Sequence, residues 1–267
     1  MTRRTTHDID RAAGSLRIGA LVFDGMDQID LTGPFEVFAR LPNASTTFYG
    51  LDLHPVHDIH GLCIQPDDTL EAAPRLDVLH VPGGFGQEAL MDDQRVLSWL
   101  ARQAEGARCV FSVCTGALLL GAAGLLRGRR ATTHWASMDL LPYFGAIATT
   151  RRVVVDGRYV FAAGVTAGID GALRVAAQLR GDDEAQRIQL WMQYAPEPPF
   201  TSGTPTTAPA HVLTAARKQI ADVSEARMRT ARRAAERLGI TPVREPGGIL
   251  PQPGGTATRP EPRDSEQ

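Results

Sequence analysis

The chain is short of cysteine, short of aromatic residues and free of long apolar runs. Its three cysteines, Cys63, Cys109 and Cys114, form no Cys-x-x-Cys pair. An odd, scattered set makes no disulfide framework and suits a reducing compartment, so a cytoplasmic location is expected. No apolar stretch approaches the roughly 20 residues that a membrane-spanning helix needs, so no membrane partner is expected. A net charge of -2 provides no field to draw a nucleic acid or a lipid surface. Aromatic residues make up 6%, yet hydrophobic residues reach 43% and charged residues 22%, the balance of an ordinary globular chain. With 267 residues, one sizeable core or at most two small ones can be buried.

Met1 to Ser15 is polar. Arg3-Arg4 has the look of a twin-arginine signal, but no apolar segment follows before Leu16, and residues 1–15 read as a disordered lead-in. From there, apolar strands alternate with helices. Arg17 to Phe23 reads as a buried first strand, stopped by Asp24-Gly25. Gly33-Pro34 is expected to open a helix over Phe35 to Arg40, since proline suits a first turn. Thr47 to Val56, His60 to Ile64 and Asp77 to Val81 read as strands, the last stopped by Pro82-Gly83-Gly84. Asp92 or Asp93 caps a helix running to about Ala104. Arg108 to Val113 is a strand, followed by a helix of small residues from Thr115 to Leu126. Thr132-Thr133 and Val153 to Val155 read as further strands, Asp156-Gly157 as a hairpin turn into Tyr159 to Phe161, and Thr166 to Leu179 as a helix.

This alternation, with few charges on the strands, predicts an α/β three-layer sandwich around a mostly parallel sheet. A site in such a sheet lies at the carboxyl ends of the strands. One catalytic domain is expected over residues 16–207, including a proline-rich wrap from Ala195 to Gly203. A helix within 208–239, from Pro209 to Leu238, carries many arginines and ends at Gly239. It reads as a solvated or dimer-packing helix. The Pro-, Gly- and charge-rich tail, 240–267, reads as disordered.

Cys114 draws attention because of where it stands. An apolar strand runs into Cys114-Thr115-Gly116 and then into a helix, which makes a strand-to-helix elbow. The elbow exposes the thiol at the top of the sheet. The N–H groups of Thr115 and Gly116, at the start of the helix, can hold a developing anion, and the helix dipole favours thiolate. A buried core cysteine is the plain alternative. That reading suits Cys109 and Cys63, and suits Cys114 poorly, because a core cysteine has no need of an elbow.

The nucleophile needs a proton partner. Asp30, flanked by apolar Ile29 and Leu31, is either a partly desolvated acid with a raised pKa or a cap for the helix at Gly33-Pro34. His134 could turn inward, but a structural histidine bonded to backbone is the better reading. The Pro82-Gly83-Gly84 loop can bring backbone N–H groups against a substrate; it lacks the Lys-Ser/Thr of a phosphate loop. His54, His57 and His60 are poor metal ligands, because a strand splits them between faces. No metal or other cofactor is expected.

Ile29-Asp30-Leu31-Thr32-Gly33-Pro34, Pro82-Gly83-Gly84, Ser112-Val113-Cys114-Thr115-Gly116, Gly121 to Leu126 and Arg130 to Trp135 together resemble the PfpI-like glutamine-amidotransferase superfamily. Thr166 to Asp170 and Tyr194-Ala195-Pro196-Glu197-Pro198-Pro199-Phe200 extend the resemblance, and point to its isocyanide-hydratase branch. The resemblance implies a flavodoxin-like fold, a homodimer, no cofactor, and addition of water to a small-molecule isocyanide to give an N-substituted formamide. It implies Cys114 as nucleophile, Asp30 as essential carboxylate and Thr115 as a supporting hydroxyl, with Thr32, Gly83 and Gly84 against the substrate. Superfamily members that are peptidases, glyoxalases or deglycases resemble this chain less, since they carry histidine after the cysteine and glutamate at the first-strand position. Regulators with a paired helix-turn-helix are a further alternative, although the C-terminal helix is too short for that pair. Redox sensing by Cys114 is another, and is compatible with catalysis.

Overall fold

A computed structural model of the chain describes residues 14–242. The expected disordered lead-in falls almost wholly, and the tail from 243 onward entirely, outside the described residues.

Four parallel strands form the middle of the sheet: β1 (Leu16–Leu21), β2 (Ala44–Gly50), β6 (Val78–Val81) and β7 (Cys109–Val113). With β5 (Asp68–Thr69), β10 (Val153–Asp156) and β11 (Tyr159–Ala162) they make seven strands in the order β10-β11-β7-β6-β1-β2-β5. Only β10 runs against its neighbour, closing the Asp156-Gly157 hairpin. Alternate side chains along β7 face different layers. Cys109, Phe111 and Val113 pack against α1 (Gln28–Phe38), α5 (Ala167–Arg180) and α6 (Asp182–Trp191). Val110 faces the other layer, which holds α3 (Gln94–Gly106), α4 (Gly116–Ala122) and the C-terminal α8 (Ala221–Leu238). Both faces of the sheet are thus covered by apolar packing, which is why its strands tolerate no charged residues in their centres.

Several elements differ from the reading of the sequence. Helix α1 starts at Gln28, with Asp27 as its cap through the Ile29 N–H, so Pro34 sits inside the helix. The capping aspartate outweighs the proline as a start signal, contributing about 1 kcal/mol. The expected strand from Thr47 to Val56 ends at Gly50; Val56–His57 (β3) then pairs in a small antiparallel ribbon with Cys63–Ile64 (β4). Cys63 is exposed on that ribbon, not buried as expected. The strand expected at Thr132-Thr133 lies just before it, at Arg130–Ala131 (β8), paired with Ile147–Ala148 (β9) around a 3-10 helix, Trp135–Phe144. A short α2 (Gln87–Leu90) was not anticipated, nor was α6, whose first turn holds Asp182, Asp183 and Glu184 at the positive end of the helix dipole. The C-terminal helix is broken at Ile220 into α7 (Ala210–Gln219) and α8. Gly239 ends it in the left-handed conformation, as expected.

The two cysteines outside the elbow should separate in a thiol-reagent experiment on the native protein. Cys63 reacts freely, whereas Cys109, its thiol pushed up to about 12 by burial, reacts only once the protein is unfolded. Peptide mapping at increasing denaturant reads both.

Candidate active site

Cys114 stands at the end of β7 with φ +55°. A left-handed conformation at a residue with a Cβ costs about 1–3 kcal/mol. Two hydrogen bonds fix it: the Cys114 N–H donates to the Ala162 carbonyl at 3.0 Å, and the Thr133 hydroxyl donates to the Cys114 carbonyl at 2.7 Å. The turn lifts the thiol off the strand, against the N–H of Thr115, the cap of α4. Its side chain remains buried, with the residue 7% exposed.

Asp30 lies in the first turn of α1 and is fully buried. It is not the helix cap, which is Asp27. Its Oδ2 accepts the Gly83 N–H at 2.9 Å, and its Oδ1 has no hydrogen-bond partner among the described residues. Burial, reinforced by the negative charge of Asp27, pushes its carboxyl up to about 8, while the Gly83 N–H and the Cys114 thiol favour ionisation. The Cys114 thiol is pushed well above its ordinary value, first by burial and then by Asp30, while the Thr115 N–H and Arg227 pull it down. Burial thus opposes ionisation of both groups, and the pair holds its protons through neutral pH.

A second contact anchors Asp30. Pro34 has no N–H to bond the carbonyl one turn earlier, so the Asp30 carbonyl is free within the helix. His80 of β6 takes it, Nε2 to oxygen at 3.0 Å. Burial holds that imidazole neutral, with its pKa pushed down to about 3, and it stacks on Phe111 with ring centroids 5.0 Å apart.

The two glycines after β6 let three segments meet. A Cβ on Gly83 would lie 2.5 Å from the Thr115 nitrogen and 3.0 Å from Asp30 Oδ2. Gly84, at φ +139°, gives its N–H to the Thr115 hydroxyl at 3.1 Å. The amide N–H groups of both glycines are therefore engaged inside the protein, where they set the positions of Asp30 and Thr115. Thr32, one turn along α1, donates its hydroxyl to Gln28 Oε1 at 2.8 Å. His134 accepts the Ala136 N–H at the start of the 3-10 helix, the structural role judged better from sequence, and burial with the nearby Arg227 pushes it down to about 4. Of the three spaced histidines, His54 and His57 meet Asp52 and Asp24 at the surface. Among the described residues, no group of three or more His, Cys, Asp or Glu is placed to hold a metal ion.

Sequence reasoning missed Arg227. From sequence it is one of many charges on a solvated or dimer-packing helix, yet Arg227 is 5% exposed. Its Nη2 donates to the Gly84 carbonyl at 2.7 Å, and its guanidinium carbon lies 5.7 Å from the centre of the Phe85 ring. The signal was present: Arg227, Thr230, Ala231 and Ala234 form a buried stripe at helical spacing. The remaining basic residues on that face dock the helix, Arg233 on Asp92 and Arg237 on Asp92 and the Ala122 carbonyl.

Asp30→Asn should change stability in a pH-dependent way. Between pH 3.8 and about 8 the folded chain keeps a proton that the unfolded chain has released, so the parent loses stability as pH rises through that window. Asparagine has no proton to lose. The variant should gain on the parent steadily between pH 4 and pH 8, by a few kcal/mol in all, as read by urea unfolding at a series of pH values.

Known proteins share the family and fold of this chain. The DJ-1/PfpI family model matches residues 16–178. The chain is 50% identical to an isonitrile hydratase of Pseudomonas putida, over 85% of this chain and 99% of that protein. The crystal structure of a THiJ/PfpI family protein from Pseudomonas syringae superimposes with a TM-score of 0.79 at 42% identity, over 84% of this chain and 91% of that one. A helix-turn-helix-type transcriptional regulator of Pseudomonas aeruginosa, CdhR, is 32% identical over 50% of this chain and 40% of its own. The chain belongs to the DJ-1/PfpI family, on the flavodoxin-like α/β fold.

Proposed function

We propose that this chain is an isocyanide hydratase, adding water to an isocyanide to give an N-substituted formamide. The carrying observation is the buried pair itself: Cys114 on a strained elbow beside a carboxyl whose ionisation burial opposes. The P. putida relative, matched over nearly its whole length, bears the name of that activity.

The isocyanide carbon must accept both a nucleophile and a proton. Neutral Asp30 gives its proton to that carbon while the Cys114 sulfur bonds to it; the resulting carboxylate takes the thiol proton, leaving a thioimidate. Water then adds to the thioimidate carbon. Asp30 protonates the nitrogen and recovers a proton from the water. The carbon–sulfur bond breaks, the formamide leaves, and the hydroxyl proton returns to sulfur through Asp30. The Thr115 N–H steadies the sulfur whenever it carries negative charge. The unpartnered Oδ1 supports this shuttle role, since it is a carboxyl oxygen with no structural bond to give up. Thr115, held by Gly84, keeps the elbow in register; Gly83, Gly84 and Thr32 line the approach.

The chain is further proposed to pair with a second copy. Leu190 and Trp191, at the end of α6, and Phe200, in the segment that follows it, are large apolar side chains left exposed, and such groups call for cover. The free state of all three cysteines supports a reducing, cytoplasmic setting.

Purified protein should convert p-nitrophenyl isocyanide to the formamide. Cys114→Ala should abolish turnover, and Asp30→Asn should lower kcat by about 100-fold or more. Because Asp30 donates its proton below about pH 8, kcat/KM should hold through neutral pH and fall as pH rises through that value. Absence of turnover, or full turnover in Cys114→Ala, overturns the reading. Light scattering should give twice the chain mass.

A further inference from the structure

Arg227 is a buried cation that the proposed chemistry does not yet use. Its neighbours on α8 have ionic partners, Arg229 with Glu225 and Arg233 and Arg237 with Asp92. Arg227 makes no salt bridge among the described residues. Its one hydrogen bond is from Nη2 to the Gly84 carbonyl, and its Nε is buried without a partner. Glu88, the carboxylate that acts on it, accepts the hydroxyl of Thr230 instead. A buried guanidinium without a counter-ion is costly, so its presence at this position calls for a negative charge that forms there.

The Gly84 peptide shows where. Its carbonyl receives Arg227, and also the Thr115 hydroxyl at 3.2 Å; its N–H reaches that same hydroxyl. Arg227 is thus one peptide away from the residue that follows the nucleophile.

We propose that Arg227 is a positioning residue for Cys114: anchored on the Gly84 carbonyl, its guanidinium supplies the counter-charge for the thiolate as the sulfur bonds and departs. The charges around the thiol fit this division of labour. Asp30 and Asp27 disfavour the thiolate, and Arg227 together with the Thr115 N–H favours it. His134 is held neutral, and Glu88 acts on Arg227. The inference concerns the thiol alone and stands apart from which substrate it attacks. It also lies outside the segment matched by the family model, which ends at residue 178.

Alkylation by iodoacetamide, in which the thiolate displaces iodide, reads the thiolate directly. Labelling is followed at Cys114 by peptide mass spectrometry, because Cys63 is also exposed to reagent. In Arg227→Gln, which removes the charge and keeps a donor, alkylation at pH 7.5 should slow about tenfold and its pH midpoint rise by about one unit. Arg227→Lys should stay within about threefold of the parent. Ala234→Gly loosens the same helix without touching a charged or polar group, and should melt earlier while keeping the parental alkylation profile. A parental profile in Arg227→Gln overturns the proposal, as does an equal shift in Ala234→Gly. Should Arg227→Gln fail to fold, Arg227→Lys decides alone: a near-parental profile supports the proposal, and a tenfold slowing overturns it.

Discussion

The structure depends on the closeness of the Gly83-Gly84 peptide to two other segments. Hydrogen bonds from these residues reach the Asp30 carboxyl and the Thr115 hydroxyl, and no side chain fits between them. Backbone donors are short and stiff compared with side chains, so they set the carboxyl against the elbow with little freedom to drift. The same constraint explains why the loop is built from glycine when neither residue offers a phosphate or a metal anything to bind.

That closeness sets up opposing electrostatic demands. Burial disfavours charge on the carboxyl and on the thiol alike. Each proton therefore stays in place through neutral pH. In the proposed reaction, charge on sulfur is stabilised as it develops by a group already oriented, the Thr115 N–H at the cap of α4. Much of the apparatus around the pair works at one remove. Pro34 withholds a donor, His80 takes the carbonyl thus freed, and Thr133 pins the elbow from the other side.

The sequence disclosed the sandwich because its strands are uncharged and its turns are punctuated by Gly and Asp. It disclosed the elbow at Cys114 because an apolar strand there runs through Cys-Thr-Gly into a helix of small residues. Asp30 stayed ambiguous, cap or acid, since one chain position serves either purpose; the cap at Asp27 removes the first of these readings. Gly83 and Gly84 stood out as a site loop, but a sequence cannot say whether a backbone N–H points at substrate or at a neighbouring side chain. The contacts that Arg227 and His80 make were out of reach for a different reason. Their partners are the Gly84 and Asp30 carbonyls, and a carbonyl has no letter in a sequence. The long reading of the C-terminal helix missed Ile220, where the chain breaks without glycine or proline.

Helix α8 has a consequence for the making of the protein. Its buried stripe carries Ala231 and Ala234 into the main core, and Arg227 into the site. These are among the last described residues to leave the ribosome, while Cys114 emerges near the midpoint of the chain. During synthesis the elbow can form on a partial sheet, yet the thiol then lacks the buried cation and the clamp on its loop. With the role proposed for Arg227, the unfinished polypeptide carries a muted sulfur, and full reactivity arrives only when α8 docks.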